Sequence, residues 1–279
     1  MSQTVAAALA AARQRGLDRL DAQLLLAHVL QQPRSWLLAH DADSLSADHA
    51  GAFDAAVARR AGGEPLAYIV GHKEFHGLRL QVDASVLVPR PDTETLVEWA
   101  LEHLHPGEPV AVVDLGTGSG AIALALAHAR PAARVHATDA SDAALCTARG
   151  NAQRLGLQAE FHTGHWWSAV GERRFGLAVA NPPYIAEGDP HLRALSAEPS
   201  LALTAGPDGL AALREITAQA GNHLEPGGWL LLEHGHDQAD AVASLLRVAG
   251  FESVQHRIDL AGVTRCTGGC WPAPSTDTI

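Results

Sequence analysis

Basic residues are the scarcer charge in this 279-residue chain: 20 Lys and Arg stand against 31 Asp and Glu, a formal net charge of −11. Broad binding to a phosphate backbone needs clustered Lys and Arg to displace counterions, so no direct nucleic-acid binding is expected. Cysteine is nearly absent, with only Cys146, Cys266 and Cys270. Three thiols cannot all pair within one chain, and so few point to a reducing compartment. Cys266 and Cys270 flank a Thr-Gly-Gly turn with no second Cys/His pair nearby, so no zinc site is expected there, nor a metal elsewhere. No apolar run reaches the ~18 residues of a transmembrane helix. The Ala-rich N-terminus, punctuated by arginines, has no apolar core ahead of a cleavage site. The expectation is a soluble cytoplasmic monomer. What is plentiful is apolar sequence, 47% of residues against 18% charged, enough to bury a substantial core.

The texture of the chain changes twice. Residues 1–63 read as a small bundle of short helices, with Asp18, Pro33 and Ser46 as start signals and Leu20, Leu24, Leu25 and Val29 as an apolar stripe. Residues 64–92 read as a connector. Its Pro65 to Gly71 run is extended, and a β-hairpin turns at His76-Gly77. Arg90 and Glu94 are either a solvated ion pair or part of a cleft wall. From 93 to 271, strands alternate with helices. That pattern implies an α/β domain with a mostly parallel, Rossmann-like sheet covered on both faces. Residues 272–279 carry Pro, Ser and Thr and are expected to fray.

Two loops of the second domain carry chemistry. After the buried strand at 110–114 come Gly116, Thr117, Gly118, Ser119 and Gly120. Glycines at that spacing let a loop turn tightly and bring backbone N–H groups to a ligand. The spacing is Gly-x-Gly-x-Gly, not the Gly-x-Gly-x-x-Gly of a dinucleotide site. Asp114, just before the loop, disfavours a pyrophosphate and suits a cationic ligand. Asp139 closes the next strand, near the ~20-residue offset at which an acid accepts ribose hydroxyls; its alternative is a helix cap. A ribose-bearing, cationic, phosphate-free cofactor matches S-adenosylmethionine. Trp166 and Trp167 lie on the same rim, where one of them can cover an adenine or both can be core. The second loop is Asn181-Pro182-Pro183-Tyr184, after the apolar run at 177–180. Consecutive prolines fix two φ angles and remove two donors. The Asn181 amide oxygen and the Pro182 carbonyl then form two rigid acceptors, matched to a planar NH₂. Tyr184 adds a flat face with a polar tip. The alternative is a Pro-rich turn after a strand.

Taken together, these motifs resemble the class I S-adenosylmethionine-dependent methyltransferases that act on planar nitrogens. The sequences Gly63-Glu64-Pro65-Leu66-Ala67-Tyr68-Ile69 and Pro89-Arg90-Pro91-Asp92-Thr93-Glu94 bring the resemblance closer to the release factor glutamine methyltransferases of the HemK/PrmC type. The resemblance runs from about residue 20 to 269. It implies a helical N-terminal domain at 1–63 that docks peptide chain release factors. It also implies methyl transfer from S-adenosylmethionine, giving S-adenosylhomocysteine, to the glutamine amide of their Gly-Gly-Gln motif. It carries cofactor roles onto residues 116–120, Asp139, Trp166 and Asn181. It carries substrate roles onto Asn181, Pro182, Pro183 and Tyr184, with Asn181, Pro182 and Tyr184 catalytic. His165 stands where the family often has an acid. The nearer rival substrate is a ribosomal-protein glutamine. A DNA amino group is the more remote one, disfavoured by the acidic charge.

Overall fold

A computed structural model describes residues 3–273. The chain divides into two compact units, Met1–His72 and Lys73–Ile279. The first unit contains α1 (Val5–Gln14), α2 (Arg19–Leu30), α3 (Arg34–Ala39), α4 (Ala47–Ala61) and α5 (Leu66–Val70). Three of these begin on side-chain caps: Thr4 accepts from the Ala7 N–H, Asp18 from Asp21 and Ser46 from His49. Each cap satisfies a backbone donor that the first turn leaves free. The core gathers Val5, Leu25, Leu26, Leu37, Phe53, Val57 and Ile69.

Two expectations for this part of the chain need correction. The buried positions of α2 are Ala22, Leu25, Leu26 and Ala27, while Leu20 is exposed. The stretch after Pro65 is helical, not extended. Pro65 opens the turn and Gly71, at φ 78°, closes it in the left-handed region. The Tyr and Ile that favour strands are here buried on one helical turn, Ile69 within the helical core. The helical unit therefore extends past residue 63 to His72.

The second unit follows with a two-stranded hairpin, β1 (His72–Phe75) and β2 (Leu78–Gln81), all but its first residue within that unit. Its turn places His76 and Gly77 at φ 47° and 76°, the two positive angles of a type I′ hairpin. Next come α6 (Glu94–Glu102), β3 (Ala111–Leu115), α7 (Ala121–Ala129), β4 (Arg134–Asp139), α8 (Asp142–Leu155), β5 (Glu160–Thr163) and β6 (Phe175–Ala180). The chain continues through α9 (Ala211–Ala220), β7 (Leu224–Glu233), α10 (Ala239–Val248), β8 (Glu252–Ile258) and β9 (Thr264–Cys270). The seven larger strands form one sheet in the order β5-β4-β3-β6-β7-β9-β8. Five are parallel; β9 runs antiparallel to β7, and β8 antiparallel to β9.

Strand β6 shows why both faces need covering. Leu177 and Val179 point into one core with Leu96, Trp99, Ile122 and Leu126. Ala178 and Ala180 point into another with Leu213, Ile216, Val242 and Leu246. Among the described residues no helix is long and apolar enough to cross a membrane. Of the tail expected at 272–279, residues 274–279 lie outside the described part. Trp271, just before it, packs edge-on against Phe251.

Candidate active site

Strand β3 lies between β4 on one side and β6 on the other, so the chain changes direction across the sheet at this point. Open α/β sheets bind ligands at such a switch, beyond the carboxyl ends of the strands. A cavity of about 580 Å³ lies there, lined by the loops after β3, β4, β5 and β6.

The glycine loop is held from below. Gly116 and Thr117 donate their N–H groups to the Thr138 carbonyl at 2.9 and 2.8 Å. The Thr117 hydroxyl donates to Asp114 Oδ2 at 2.6 Å, and the Ala123 N–H reaches the same oxygen at 3.1 Å. Asp114 is fully buried, and burial pushes its carboxyl up to about 7 despite those bonds. Its other oxygen has no partner. Asp114 therefore ties the loop to the start of α7 and does not face the cavity. Gly116, at φ 78°, leaves no space for a side chain: a Cβ would meet Cζ3 of Trp166 at 2.8 Å.

Asp139 reaches the cavity and organises its floor. One oxygen accepts from the Gly118 N–H and the other from Ser141, each at 2.9 Å. The cap of α8 is Ser141, which accepts from Ala144. The helix-cap reading of Asp139 is thereby displaced, and its remaining lone pairs are available to a ligand. The two tryptophans separate. Trp167 is a core residue that donates to the Ile216 carbonyl and stacks on His223. Trp166 lines the cavity, with a buried indole N–H that has no partner.

Of the sequence-derived positions, Gly116, Thr117, Gly118, Ser119, Asp139, Trp166, Asn181 and Pro183 line the cavity. Gly120, Pro182 and Tyr184 do not. Gly120 starts α7 in the left-handed region at φ 83°. Pro182 is buried, and the Tyr184 carbonyl accepts from Gln238 Nε2 at 3.1 Å. Burial, with Glu233 next, raises the Tyr184 phenol to about 12.

Asn181 donates its amide N–H to the Thr93 hydroxyl at 3.2 Å. Behind it, at the end of β7, lies the fully buried Glu233. Burial pushes that carboxyl up to about 7, opposed by hydrogen bonds from Thr93 and Asn181. With its NH₂ engaged by Thr93, Asn181 has its Oδ1 left for the cavity.

The family comparisons cover both units. Residues 3–71 match the PrmC N-terminal domain, and residues 93–197 match the methyltransferase small domain. The release factor glutamine methyltransferase of Bordetella pertussis is 50% identical over 257 residues, spanning 91% of this chain and 95% of that protein. The chain belongs to the release factor glutamine methyltransferase family. A second member, from Xylella fastidiosa, is 49% identical over 269 residues, 95% of this chain and 98% of that one. Among solved structures, a T. thermophilus 16S rRNA methyltransferase in complex with AdoMet and guanosine shares the fold at TM-score 0.53 and 21% identity. It matches 71% of this chain and 49% of that one.

Several residues named from the sequence find partners that local spacing does not give. Arg90 is not paired with Glu94. It binds Glu198, a buried acid that also accepts from the Val88 N–H at 3.1 Å. Glu94 instead accepts from the His76 N–H at 3.0 Å. Glu198 thus fastens the segment before α6 to the long loop after β6, and both line the cavity. On the rim, His165 Nδ1 lies 3.2 Å from Oε1 of Glu215, so α9 supplies an acid beside the imidazole. Cys266 is buried on β9 opposite Glu233, and burial raises its thiol. Thr267-Gly268-Gly269 is strand and not turn, so Cys270 lies four residues along β9, about 13 Å away, too far for a bridge.

Proposed function

We propose that this enzyme transfers the methyl group of S-adenosylmethionine to the side-chain amide nitrogen of the glutamine in the Gly-Gly-Gln motif of peptide chain release factors. The observation that carries the proposal is the orientation of Asn181. Thr93 accepts from its NH₂, which leaves the amide oxygen for the cavity. That oxygen lies on the same cavity as Asp139 and the glycine loop. The residues present fit the cofactor. Asp139 offers carboxylate lone pairs to a ribose diol. Trp166 offers an aromatic face and a buried N–H without a partner. Gly116, Thr117, Gly118, Ser119 and Gly120 bring or shape backbone close to the ligand.

S-adenosylmethionine, when bound, supplies an electrophilic methyl group and leaves as S-adenosylhomocysteine. Asn181 Oδ1 and the backbone carbonyl of Pro182, whose ring is buried between the cavity-lining Asn181 and Pro183, accept the two protons of the glutamine NH₂. They orient the nitrogen and draw off positive charge as it develops. Pro182 and Pro183 keep those acceptors in place, and Tyr184, packed against the core, backs them. An amide nitrogen has no pKa near neutrality, so no general base is required and the surplus proton leaves to water. Glu233 acts through Asn181, since it does not line the cavity. Orientation of this kind can contribute ~7–11 kcal/mol to lowering a barrier. The reaction needs no metal. The helical unit docks the release factor, and the enzyme works as a cytoplasmic monomer.

Purified enzyme, S-adenosylmethionine and a release factor are expected to give a single methyl mass gain on the Gly-Gly-Gln glutamine. Ribosomal protein and DNA offered in parallel are expected to stay unlabelled. Label on either of those, with none on the release factor, overturns the substrate assignment.

A further inference from the structure

Apart from the cavity, strands β4 and β5 bring together three side chains of metal-ligating type. His136 and Glu160 are register partners across these parallel strands. His162 follows two positions along β5, on the same face as Glu160. Nδ1 of His136 is 3.1 Å from Nε2 of His162 and 3.4 Å from Oε2 of Glu160. That oxygen is 3.8 Å from His162 Nε2, which closes a triangle.

An ion bonded at about 2.0–2.2 Å to nitrogen and oxygen holds its tetrahedral ligands about 3.3–3.6 Å apart. The sides of the triangle, 3.1, 3.4 and 3.8 Å, bracket that range, so an ion needs shifts of only a few tenths of an ångström. The two imidazoles lie nearly parallel, 18° apart, and Phe175 packs at 70° against the His136 ring. The Glu160 side chain is 65% exposed, so the third corner opens to solvent and an ion can enter. Without an ion, the two imidazoles share one hydrogen bond. A metal would take the place of that proton.

We propose that His136, Glu160 and His162 bind one divalent first-row transition ion of the zinc class, which pins edge strand β5 to β4. Two imidazoles and a carboxylate are a donor set such ions accept, with water completing the shell. Arg173 acts on both rings, Arg134 on His136 and Arg149 on His162. These cations oppose the charge of a bound ion and the single carboxylate offsets them only in part, which lowers the affinity. None of the three ligands lines the cavity. The link to the enzyme is mechanical: β5 leads directly into the rim that carries Trp166, and its Thr163 pairs with Asp139.

The full-length protein, stripped of metal by chelation, is titrated with Zn²⁺ by calorimetry and with Co²⁺ by visible absorption. One equivalent of Zn²⁺ is expected to bind at micromolar Kd. Saturation is expected to raise the Tm by about 5 °C. Co²⁺ is expected to give the intense d–d bands of a four-coordinate site. Glu160→Gln and His162→Gln are each expected to weaken binding at least tenfold. His191→Gln, on an exposed loop, is expected to leave it unchanged. Undiminished binding in either ligand variant, or no binding tighter than millimolar in the unaltered protein, overturns the proposal.

Discussion

The loops after β3 and β6 leave neighbouring parallel strands and reach one cavity by opposite means. The first is built on glycine. Positive φ at Gly116, Gly118 and Gly120 folds the backbone, and its N–H groups are engaged by Thr138 and Asp139. The second is built on proline, which fixes φ and leaves carbonyls without competing donors. One loop is shaped by what glycine permits, and the other by what proline forbids. This suits the two tasks proposed for them. A cofactor is held by a conforming backbone, whereas a reacting amide needs acceptors that do not move.

The sharpest way to break that contrast is Asn181→Ala. Turnover on a release factor is expected to fall by ~10²–10³-fold, as for loss of an oriented transition-state partner. Cofactor affinity, measured by calorimetry, is expected to fall far less. An equal loss in both would erase the distinction between the loops. Gly116→Val tests the other side. Its Cβ would meet the Trp166 ring at 2.8 Å, at a φ of 78° that a β-branched residue rarely adopts. Cofactor affinity is expected to drop at least roughly tenfold, and stability by about 1–3 kcal/mol in a thermal melt. Asp139→Asn removes a charged acceptor while keeping the shape. The expected effect is about tenfold on cofactor affinity, with kcat less affected at saturating cofactor.

The smallest effect concerns pH. Asp114 and Glu233 are both raised to about 7, above the ordinary carboxyl range. Between the unfolded and folded values the native state holds protons that the unfolded chain has lost. The stability these two groups contribute is therefore full below about pH 4 and is lost as pH rises toward and through 7. Glu233→Gln keeps the neutral form at every pH. Denaturant titrations from pH 5 to 8 are expected to show a flatter profile for this variant, by about 1–2 kcal/mol. An unchanged slope would show that Glu233 does not change charge in this range.

What was legible in the sequence was local. Glycine and proline act on their own backbone, so the loop at 116–120 and the tetrapeptide at 181–184 declared themselves. The alternating strands and helices did the same for the sheet. Partners distant in sequence were not legible. Thr93 meets Asn181 across 88 positions, and Arg90 meets Glu198 across 108. Glu233 ends an apolar strand and gives no sign that it lies behind the amide that follows the neighbouring strand. Leu66–Val70 misled for a different reason. It is a single helical turn whose residues favour strands, and burial of Ala67, Tyr68 and Ile69 outweighs that preference.

The last two strands carry a consequence for how the chain is made. β9 follows β8 in sequence but lies inside it, between β8 and β7. Its backbone sits so close that a Cβ at Gly268 would come within 2.6 Å of Leu231. During synthesis β8 emerges first and has no strand to pair with, while β7 keeps one edge open. Only when residues 264–270 leave the ribosome can they thread between the two and close the sheet. A nascent chain stalled short of that point exposes two unpaired edges next to an apolar core, the kind of surface that chaperones hold.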